Sequence, residues 1–339
     1  MQGVHYTIIE IRFDPSQERD NLNFKLSSTS TPLERVVVIG ATGFIGSSLC
    51  KFLGTASSCE TVQINSSTLD LSKDYSIDSL TRLLRPNDKV VFLAAQTPDR
   101  GKDIDTFMIN LSMIKNFNQA VQITTPAHIT YVSSDSMFYP IHNGISIYSD
   151  QLTRNTYGLA HFARECFLDE KCSELNIPLA IVRPTAIYGF QNRQRTYGPN
   201  QFLKTIMENQ EIVLFGDGEE QRDHLHIDDF NSYLFEILNK NGSGVIHIAS
   251  GQLISFKEIA NLFQATLPHM KIKIKTRARS IPFFHKSVDT AELKSLFPQI
   301  SPLTPQVGIT KEILAANTAF YQQRSVHSAD FIKNENHYE

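Results

Sequence analysis

Features that mark a secreted, membrane-bound or metal-binding protein are scarce in this sequence. No cysteine pair has CxxC or other metal-ligand spacing, which predicts reduced thiols rather than a disulfide framework or a zinc site at Cys50, Cys59, Cys166 and Cys172. No apolar run approaches the ~20 residues that span a bilayer, and the first residues lack the charged start and apolar stretch of a signal peptide. We therefore expect a cytoplasmic protein that holds no metal and binds no membrane.

Strong net charge is also missing. The 339 residues carry a formal charge of -3 at pH 7. The one basic run, 271–279, alternates as a solvated strand face does, so it does not give the basic footprint that nucleic-acid binding requires. Apolar residues make up 41% and charged residues 20%, which is ordinary for a globular protein of one large domain or two smaller ones. We expect no nucleic-acid partner.

Strand and helix patterns alternate through the first half of the chain. Apolar runs predict buried parallel strands at 35–39, 90–95, 129–133 and 179–183, with helix-period segments at 44–53, 77–84, 104–121 and 157–175. This order predicts an α/β fold with a Rossmann-type doubly wound parallel sheet. After Gly189 the elements become shorter, which predicts a smaller C-terminal α+β substrate-binding cap at the sheet edge where ligands of such folds bind.

A glycine-rich turn joins the first predicted strand to the first predicted helix. Gly40 permits a tight exit from the strand, Gly43 lets the backbone approach a ligand, and Gly46 lets the helix pack close to the sheet. The helix start then offers unpaired N–H donors and a positive dipole end to a pyrophosphate. The turn predicts an NAD(P) site formed by Gly40, Thr42, Gly43, Phe44, Ile45 and Gly46.

The second predicted strand, 61–65, does not decide between the two cofactors. It ends without a carboxylate for the ribose 2′-hydroxyl of NAD and without an arginine for the 2′-phosphate of NADP. The choice stays open, and we favour NAD.

The motifs set the expected domain boundaries. We expect a flexible, polar N-terminal extension at 1–34, an NAD(P)-binding domain at 35–189 that later segments complete, a cap at 190–325 and a tail at 326–339.

Further motifs follow the glycine turn. They are Asp70-Leu71, Leu93-Ala94-Ala95, Asn110, Tyr131-Val-Ser-Ser134-Asp135, Tyr157-Gly-Leu-Ala-His161, the segment 183–189 and the segment 216–229. In this order and spacing they resemble the extended short-chain dehydrogenase/reductases, specifically the NAD-dependent epimerase/dehydratase family, which acts on nucleotide sugars. The resemblance covers about 35–321.

The resemblance implies a role for each motif. The cofactor would be lined by Asp70, Leu71, Ala94, Ala95, Asn110, Tyr157 and His161, and the catalytic group would comprise Ser134, Asp135, Tyr157 and His161. Tyr157 would exchange the proton of a sugar hydroxyl while Ser134 hydrogen-bonds the same oxygen. Arg222 and Arg279 would hold the nucleotide diphosphate. The resemblance also implies a homodimer formed by the helices that follow Ile104 and Tyr157.

The largest departure from the family pattern is His161, which stands where the family has a lysine. That lysine holds the nicotinamide ribose and places a positive charge beside the tyrosine. Three alternatives follow: His161 is a protonatable substitute, a nearby group supplies the charge, or the protein binds cofactor with little turnover.

Two other departures bear on the reaction and the substrate. Ser136 stands where 4,6-dehydratases carry a glutamate base, so dehydration is disfavoured. Ala186 replaces an asparagine that contacts the diphosphate, and Asn200 would make that contact instead. The leading hypothesis is a nucleotide-sugar epimerase. A 4-keto-sugar reductase and a cofactor-binding protein with little catalysis are the alternatives.

His224 and His226, near Asp228 and Asp229, allow a metal hypothesis because alternation places both histidines on one strand face. The match of this segment to the family's arginine segment favours a structural role for them.

Overall fold

The computed structural model describes residues 23–138, 145, 155–189, 198–279 and 285–318. The chain is organised around a parallel sheet with helices on both faces and a smaller layer at one end. Within the described ranges, no helix combines the length and apolar character needed to cross a membrane.

Six parallel strands form the main sheet. Its strands are β1 (Arg35–Ile39), β2 (Glu60–Ile64), β3 (Lys89–Phe92), β4 (His128–Val132), β5 (Leu179–Pro184) and β9 (Gly244–Ile248). Their spatial order is β2-β1-β3-β4-β5-β9, with every pairing parallel. The predicted α/β class and doubly wound parallel sheet are confirmed.

Helices cover the two faces of this sheet. They are α1 (Phe44–Ala56), α2 (Ser76–Leu83), α3 (Ile104–Ile123), α4 (Thr156–Leu175), α6 (Ile227–Asn239) and α8 (Ala291–Leu296). Every residue of β1 is buried, and its side chains alternate between two cores. Val37 and Ile39 belong to the core that α2, α3 and α4 cover, whereas Val36 and Val38 belong to the core beneath α1, α6 and α8. This two-sided burial explains why the strands are continuous apolar runs.

The strand order creates a crevice at one place on the sheet edge. From β1 the chain forms β2 on one side and then crosses to form β3 on the other side. The connections therefore diverge at the carboxyl ends of β1 and β3, where ligands of open α/β sheets bind. The glycine turn follows β1 at this switch point.

The smaller layer has a core of its own. It contains β6 (Ala186–Tyr188), α5 (Gly198–Asn209), β7 (Glu211–Phe215), β8 (Gln221–His226), β10 (Leu253–Ser255), α7 (Phe256–Thr266), β11 (Lys273–Arg277) and α9 (residues 305–318). The strands form a three-stranded sheet, β10-β8-β6, and the pair β11-β7. Phe202, Ile254 and Phe263 lie at the centre of this third core. Although α6, β9 and α8 come late in the sequence, they belong to the main layer.

The N-terminal segment differs from the expected flexible extension. Phe24 is only 4% exposed, its ring lies 6.4 Å from that of Phe297, and Lys25 and Ser243 exchange backbone hydrogen bonds. The expectation is therefore wrong for residues 23–34, because one aromatic side chain fills a site beside α8. Residues 1–22 and the predicted tail lie outside the described residues.

His128, at the start of β4, makes the fold sensitive to acid. Its side chain is fully buried and its Nε2 lies 2.7 Å from the carbonyl oxygen of Gly242. Burial is the main cause that lowers the pKa of His128 from 6.5 to about 4. Between those two values the unfolded chain binds a proton that the folded chain does not, so the free energy of unfolding decreases as pH falls.

We predict that His128→Gln weakens this pH dependence. The amide can still donate to Gly242 but does not titrate, so the loss of stability between pH 6.5 and 4 should shrink by up to about 1.4 kcal/mol per pH unit. Urea unfolding across that range would measure it. His269→Gln, at an exposed histidine, is the control. Equal pH dependence in wild type and His128→Gln would contradict the prediction.

Candidate active site

The glycine turn is shaped by close contacts between backbone segments. Gly40 has φ +93°, and a Cβ there would lie 2.9 Å from the nitrogen of Ala94, at the end of β3. A Cβ at Gly46 would lie 2.2 Å from the carbonyl oxygen of Gly40. Two of the predicted glycine roles, the tight exit and the close packing of the helix, are therefore confirmed.

The start of α1 has backbone N–H groups without a side-chain acceptor or a nearby acidic residue. No side chain caps Gly43, and the first turn contains no acidic residue. The N–H groups of the first turn have no carbonyl partner within a helix and carry the positive end of its dipole. An anion at the switch point would accept hydrogen bonds from them.

The end of β2 is uncharged. The side-chain oxygen of Asn65 accepts hydrogen bonds from the backbone nitrogens of Ser67, at 2.9 Å, and Thr68, at 3.3 Å. This tight turn presents exposed hydroxyl side chains. Further along, Asp70 is half-buried and accepts from the nitrogen and hydroxyl of Ser72, while Leu71 is buried.

Asn110 was expected to line the cofactor, but its side chain binds backbone instead. Its Oδ1 accepts from the nitrogen of Gln96 at 2.9 Å, and its Nδ2 donates to the carbonyl oxygens of Gln96 and Thr106. Asn110 thus fixes the loop that follows β3, which contains Ala94 and Ala95. Its effect on a ligand would be indirect.

Arg164 is the second anchor of this loop. The side chain is fully buried, and its Nη2 donates to the carbonyl oxygen of Ala94 at 2.6 Å. Its guanidinium carbon lies 4.8 Å from the ring centroid of Phe92 and 5.1 Å from that of Tyr131. A permanent positive charge therefore lies beneath the carboxyl ends of β3 and β4.

A buried ion pair anchors the same helix to β5. Glu165, the residue after Arg164, binds Arg183 with both oxygens, at 3.0 Å from Nε and 2.5 Å from Nη2. The ion pair and the Arg164 contacts together fix α4 against β3, β4 and β5.

Tyr157 and Ser134 are close enough to interact. Tyr157 lies in the first turn of α4, where burial raises the pKa of its phenol to about 12. The charge of Arg164 and the side chain of Ser134 lower that pKa, whereas the charge of Asp135 adds to the effect of burial. In the absence of a ligand the phenol is therefore protonated at neutral pH.

His161 is buried and neutral. It is 3% exposed, its Nδ1 lies 2.7 Å from the Tyr131 hydroxyl, and its ring lies edge-on to that of Tyr157 at 4.5 Å. Burial, and then the charge of Arg164, holds the pKa of His161 well below 6.5. This argues against a protonatable substitute for lysine and favours the alternative in which a nearby group supplies the charge.

Asp135 is held in an ion pair that the sequence did not reveal. Its carboxylate lies 2.8 Å from Nζ of Lys286, which also donates to the carbonyl oxygen of Asp135 at 2.6 Å. Lys286 is 9% exposed, and its backbone bridges to Arg222. The cap is thereby joined to the turn that carries Ser134.

Arg222 and Arg279 meet in the smaller layer, where both bind the carboxylate of Glu220. Arg222 donates from Nε to Oε1 of Glu220 at 2.8 Å, and Arg279 donates from Nη1 to Oε2 of the same side chain at 3.0 Å. Asn200 is buried, and its Oδ1 accepts from the nitrogen of Gly189 at 3.2 Å. Asn200 therefore supports the turn after β6.

His224 and His226, which the sequence allows as metal ligands, contact other side chains of the chain. His226 lies 2.9 Å from a carboxylate oxygen of Glu312, and His224 packs edge-on against Phe256. Among the described residues, no cluster of three or more His, Cys, Asp and Glu side chains has a geometry suited to a metal ion.

Comparison with known proteins shows the family. The model of the NAD dependent epimerase/dehydratase family matches residues 36–249, and the chain belongs to this family. The curated protein y4nG of Sinorhizobium fredii, itself uncharacterized, is 27% identical over 221 residues, which are 64% of this chain and 53% of y4nG. The chain thus spans about half the length of that relative.

Solved structures share the fold. A GDP-L-fucose synthetase from Naegleria fowleri superposes with a TM-score of 0.75 at 17% identity, over 85% of this chain and 96% of that chain. UDP-glucose 4-epimerase from Thermus thermophilus, in complex with NAD, gives 0.70 at 18% identity over 82% and 97%. At these identities the similarity establishes architecture alone.

We predict that Gly46→Ala disrupts the turn. The new methyl group would meet backbone atoms that cannot rotate away, so the free energy of unfolding should fall by about 1–3 kcal/mol. Gly54→Ala, later in the same helix, is the matched control, since a Cβ there meets nothing within 4 Å. The control should gain up to about 1 kcal/mol. Urea unfolding would measure the free energy of unfolding of both variants. Similar changes in the two, relative to wild type, would contradict the prediction.

Proposed function

We propose that this protein is a nucleotide-sugar epimerase that retains a nicotinamide dinucleotide and transiently oxidises one sugar carbon. The observation that carries the proposal is the interaction of Tyr157, in the first turn of α4, with Ser134, which follows β4. It puts a phenol and a hydroxyl together at the carboxyl end of β4, where a sugar carbinol would meet the cofactor.

The site suits a dinucleotide in two respects. The turn from Gly40 to Gly46 leaves no room for larger side chains and presents a helix start without its own acidic cap. In addition, the buried Nε2 of His161 has no hydrogen-bond partner in the described part of the chain. A ribose hydroxyl would satisfy that nitrogen in either tautomer. We favour NAD, because the Asn65 turn presents hydroxyls but no cation to a 2′-phosphate.

The protein residues would manage the proton and the sugar. A bound nicotinamide dinucleotide would accept a hydride from the sugar carbon and later return it. The Tyr157 oxygen, in its ionised form, would take the proton of the sugar hydroxyl and give it back when the carbonyl is reduced. The Ser134 hydroxyl would donate to the same sugar oxygen and stabilise the charge that develops there.

Two features favour epimerisation over dehydration. An elimination needs a base beside the catalytic serine, and Ser136 has no acidic group. Its hydroxyl accepts a hydrogen bond from Ser134 at 3.0 Å. The neighbouring Asp135 carboxylate is already engaged in an ion pair with Lys286, at 2.8 Å from its Nζ.

Arg164 is our candidate for the charge that the family's lysine provides. It lowers the pKa of Tyr157, and a guanidinium carries a permanent positive charge in proteins. His161 would contribute hydrogen bonds instead, through the ring that Tyr131 holds in place.

We further propose a homodimer formed through α3 and α4. These helices pack together, and large apolar side chains project from them into solvent at Ile104, Met108, Ile123, Leu159, Phe162 and Phe167. Large apolar side chains exposed on two helices that pack together favour an interaction site on this face.

We predict that the purified protein interconverts a pair of nucleotide sugars without added cofactor. Tyr157→Phe should reduce turnover about 100-fold or more while cofactor binding is retained, because only the proton-transfer oxygen is removed. Native mass spectrometry of wild type should show two chains, each with one dinucleotide.

Three results would contradict these proposals. Turnover that requires stoichiometric NAD(P)H would indicate a 4-keto-sugar reductase, and retained activity in Tyr157→Phe would remove Tyr157 from the mechanism. If wild type is inert and His161→Lys gains activity, the protein is a cofactor-binding protein.

We predict that the charge on Arg164, not His161, sets the pH dependence of turnover. Turnover should rise with pH as Tyr157 ionises. In Arg164→Gln this ascending limb of the pH–rate profile should shift to higher pH, because the phenol loses a cation that favours its ionised form. At pH 7 the rate should fall about tenfold for each unit of that shift. Arg164→Lys should restore the profile.

His161→Gln is the control, since it preserves polarity without a titratable ring. It should leave the position of the limb unchanged. If wild type loses activity as pH rises through 6.5 and His161→Gln does not, His161 would be identified as the cation.

A further inference from the structure

The two cap arginines are bridged by one carboxylate of the same chain. Glu220 accepts from Arg222 on Oε1, at 2.8 Å from Nε, and from Arg279 on Oε2, at 3.0 Å from Nη1. A single anionic group thus uses both of its oxygens, one for each guanidinium. This is the arrangement that a phosphate group would adopt between the same donors.

Glu219 adds a second carboxylate at the edge of the cluster. Its Oε2 lies 3.3 Å from Nη2 of Arg279, and its side chain is 39% exposed, against 16% for Glu220. The two glutamates balance the formal charge of the two arginines. An incoming anion therefore meets a neutralised pair of guanidinium groups rather than two available cations.

The backbone at Glu220 is held by a contact that does not involve its side chain. The carbonyl oxygen of Glu220 accepts from the nitrogen of Phe256 at 3.2 Å, which ties β8 to the start of α7. The carboxylate can therefore leave the arginines by side-chain rotation without disturbing the strand.

We propose that Glu220 is a built-in competitor for the diphosphate of the substrate. Its carboxylate occupies the anion position in the ligand-free protein and leaves when a nucleoside diphosphate binds. This rests on the proposed function, in which Arg222 and Arg279 hold that diphosphate. The consequence is weaker binding of every nucleoside diphosphate than two arginines alone would give, which favours release of product.

A different role for Glu220 would give the opposite result. If its carboxylate orients the arginines for the ligand, removal of the carboxylate leaves both guanidinium groups mobile and weakens binding. The sign of the change in affinity therefore separates competition from orientation.

The test is the affinity of UDP, GDP and ADP, each titrated alone by calorimetry into wild type and variants at one fixed ionic strength, because such contacts are screened by salt. Glu220→Gln should bind the preferred nucleotide about tenfold more tightly, and Glu220→Ala should also bind more tightly. Glu219→Gln removes the same charge but contacts Arg279 alone, and its effect should stay below about threefold.

Each other outcome overturns the inference. With binding in wild type, weaker binding in both Glu220 variants shows an orienting role, and unchanged binding shows that Glu220 does not compete; both results leave the proposed function standing. Failure of all three nucleotides to bind to wild type and to both Glu220 variants removes the diphosphate site itself. Equal gains in the Glu219 and Glu220 variants would assign the effect to net charge alone.

Discussion

The arrangement of the active-site cleft depends on one buried guanidinium. Arg164 has no access to solvent, and a buried charge is stable only where hydrogen bonds and other polar partners replace water. Its partners are the carbonyl oxygen of Ala94, the side-chain oxygen of Asn110, and the aromatic faces of Phe92 and Tyr131. A shift of α4 would separate the charge from all of them. Tyr157 lies in the first turn of that helix, so the contacts of the buried charge also fix its position.

In the proposed function, the same guanidinium would account for the absence of the family's lysine. A lysine at this place would have two physical roles, a positive charge and a set of hydrogen-bond donors. In this chain the charge would come from Arg164, while His161 is neutral and bound to Tyr131. The two roles would then be divided between two side chains one helical turn apart.

The sequence predicted what local pattern and spacing determine. The glycine turn, the alternation of strands and helices, and the meeting of Tyr157 with Ser134 all follow from short motifs on buried elements. Contacts between distant segments have no such pattern. Lys286 lies 151 positions from Asp135, and no periodicity in its surroundings distinguishes it from a surface lysine.

The burial of Phe24 was missed for a related reason. One aromatic residue in a polar stretch gives no periodic pattern, yet its ring fills a site beside Phe297. Arg164 was missed because a charged residue on a helix is ordinarily exposed. His161 was recognised as a departure, but its charge depends on burial and on Arg164, both of which are properties of the fold.

Carboxylates of the chain itself bind the cations on the cap side of the cleft. Asp135 binds Lys286, and Glu220 binds the two arginines, but the two cases differ in what surrounds them. Lys286 donates to the backbone as well as to the carboxylate of Asp135, so its ion pair is part of the link between cap and catalytic turn. The Glu220 contacts involve side chains alone and can break without disturbing the backbone. An anionic ligand would therefore compete with Glu220 and leave the Asp135 link intact.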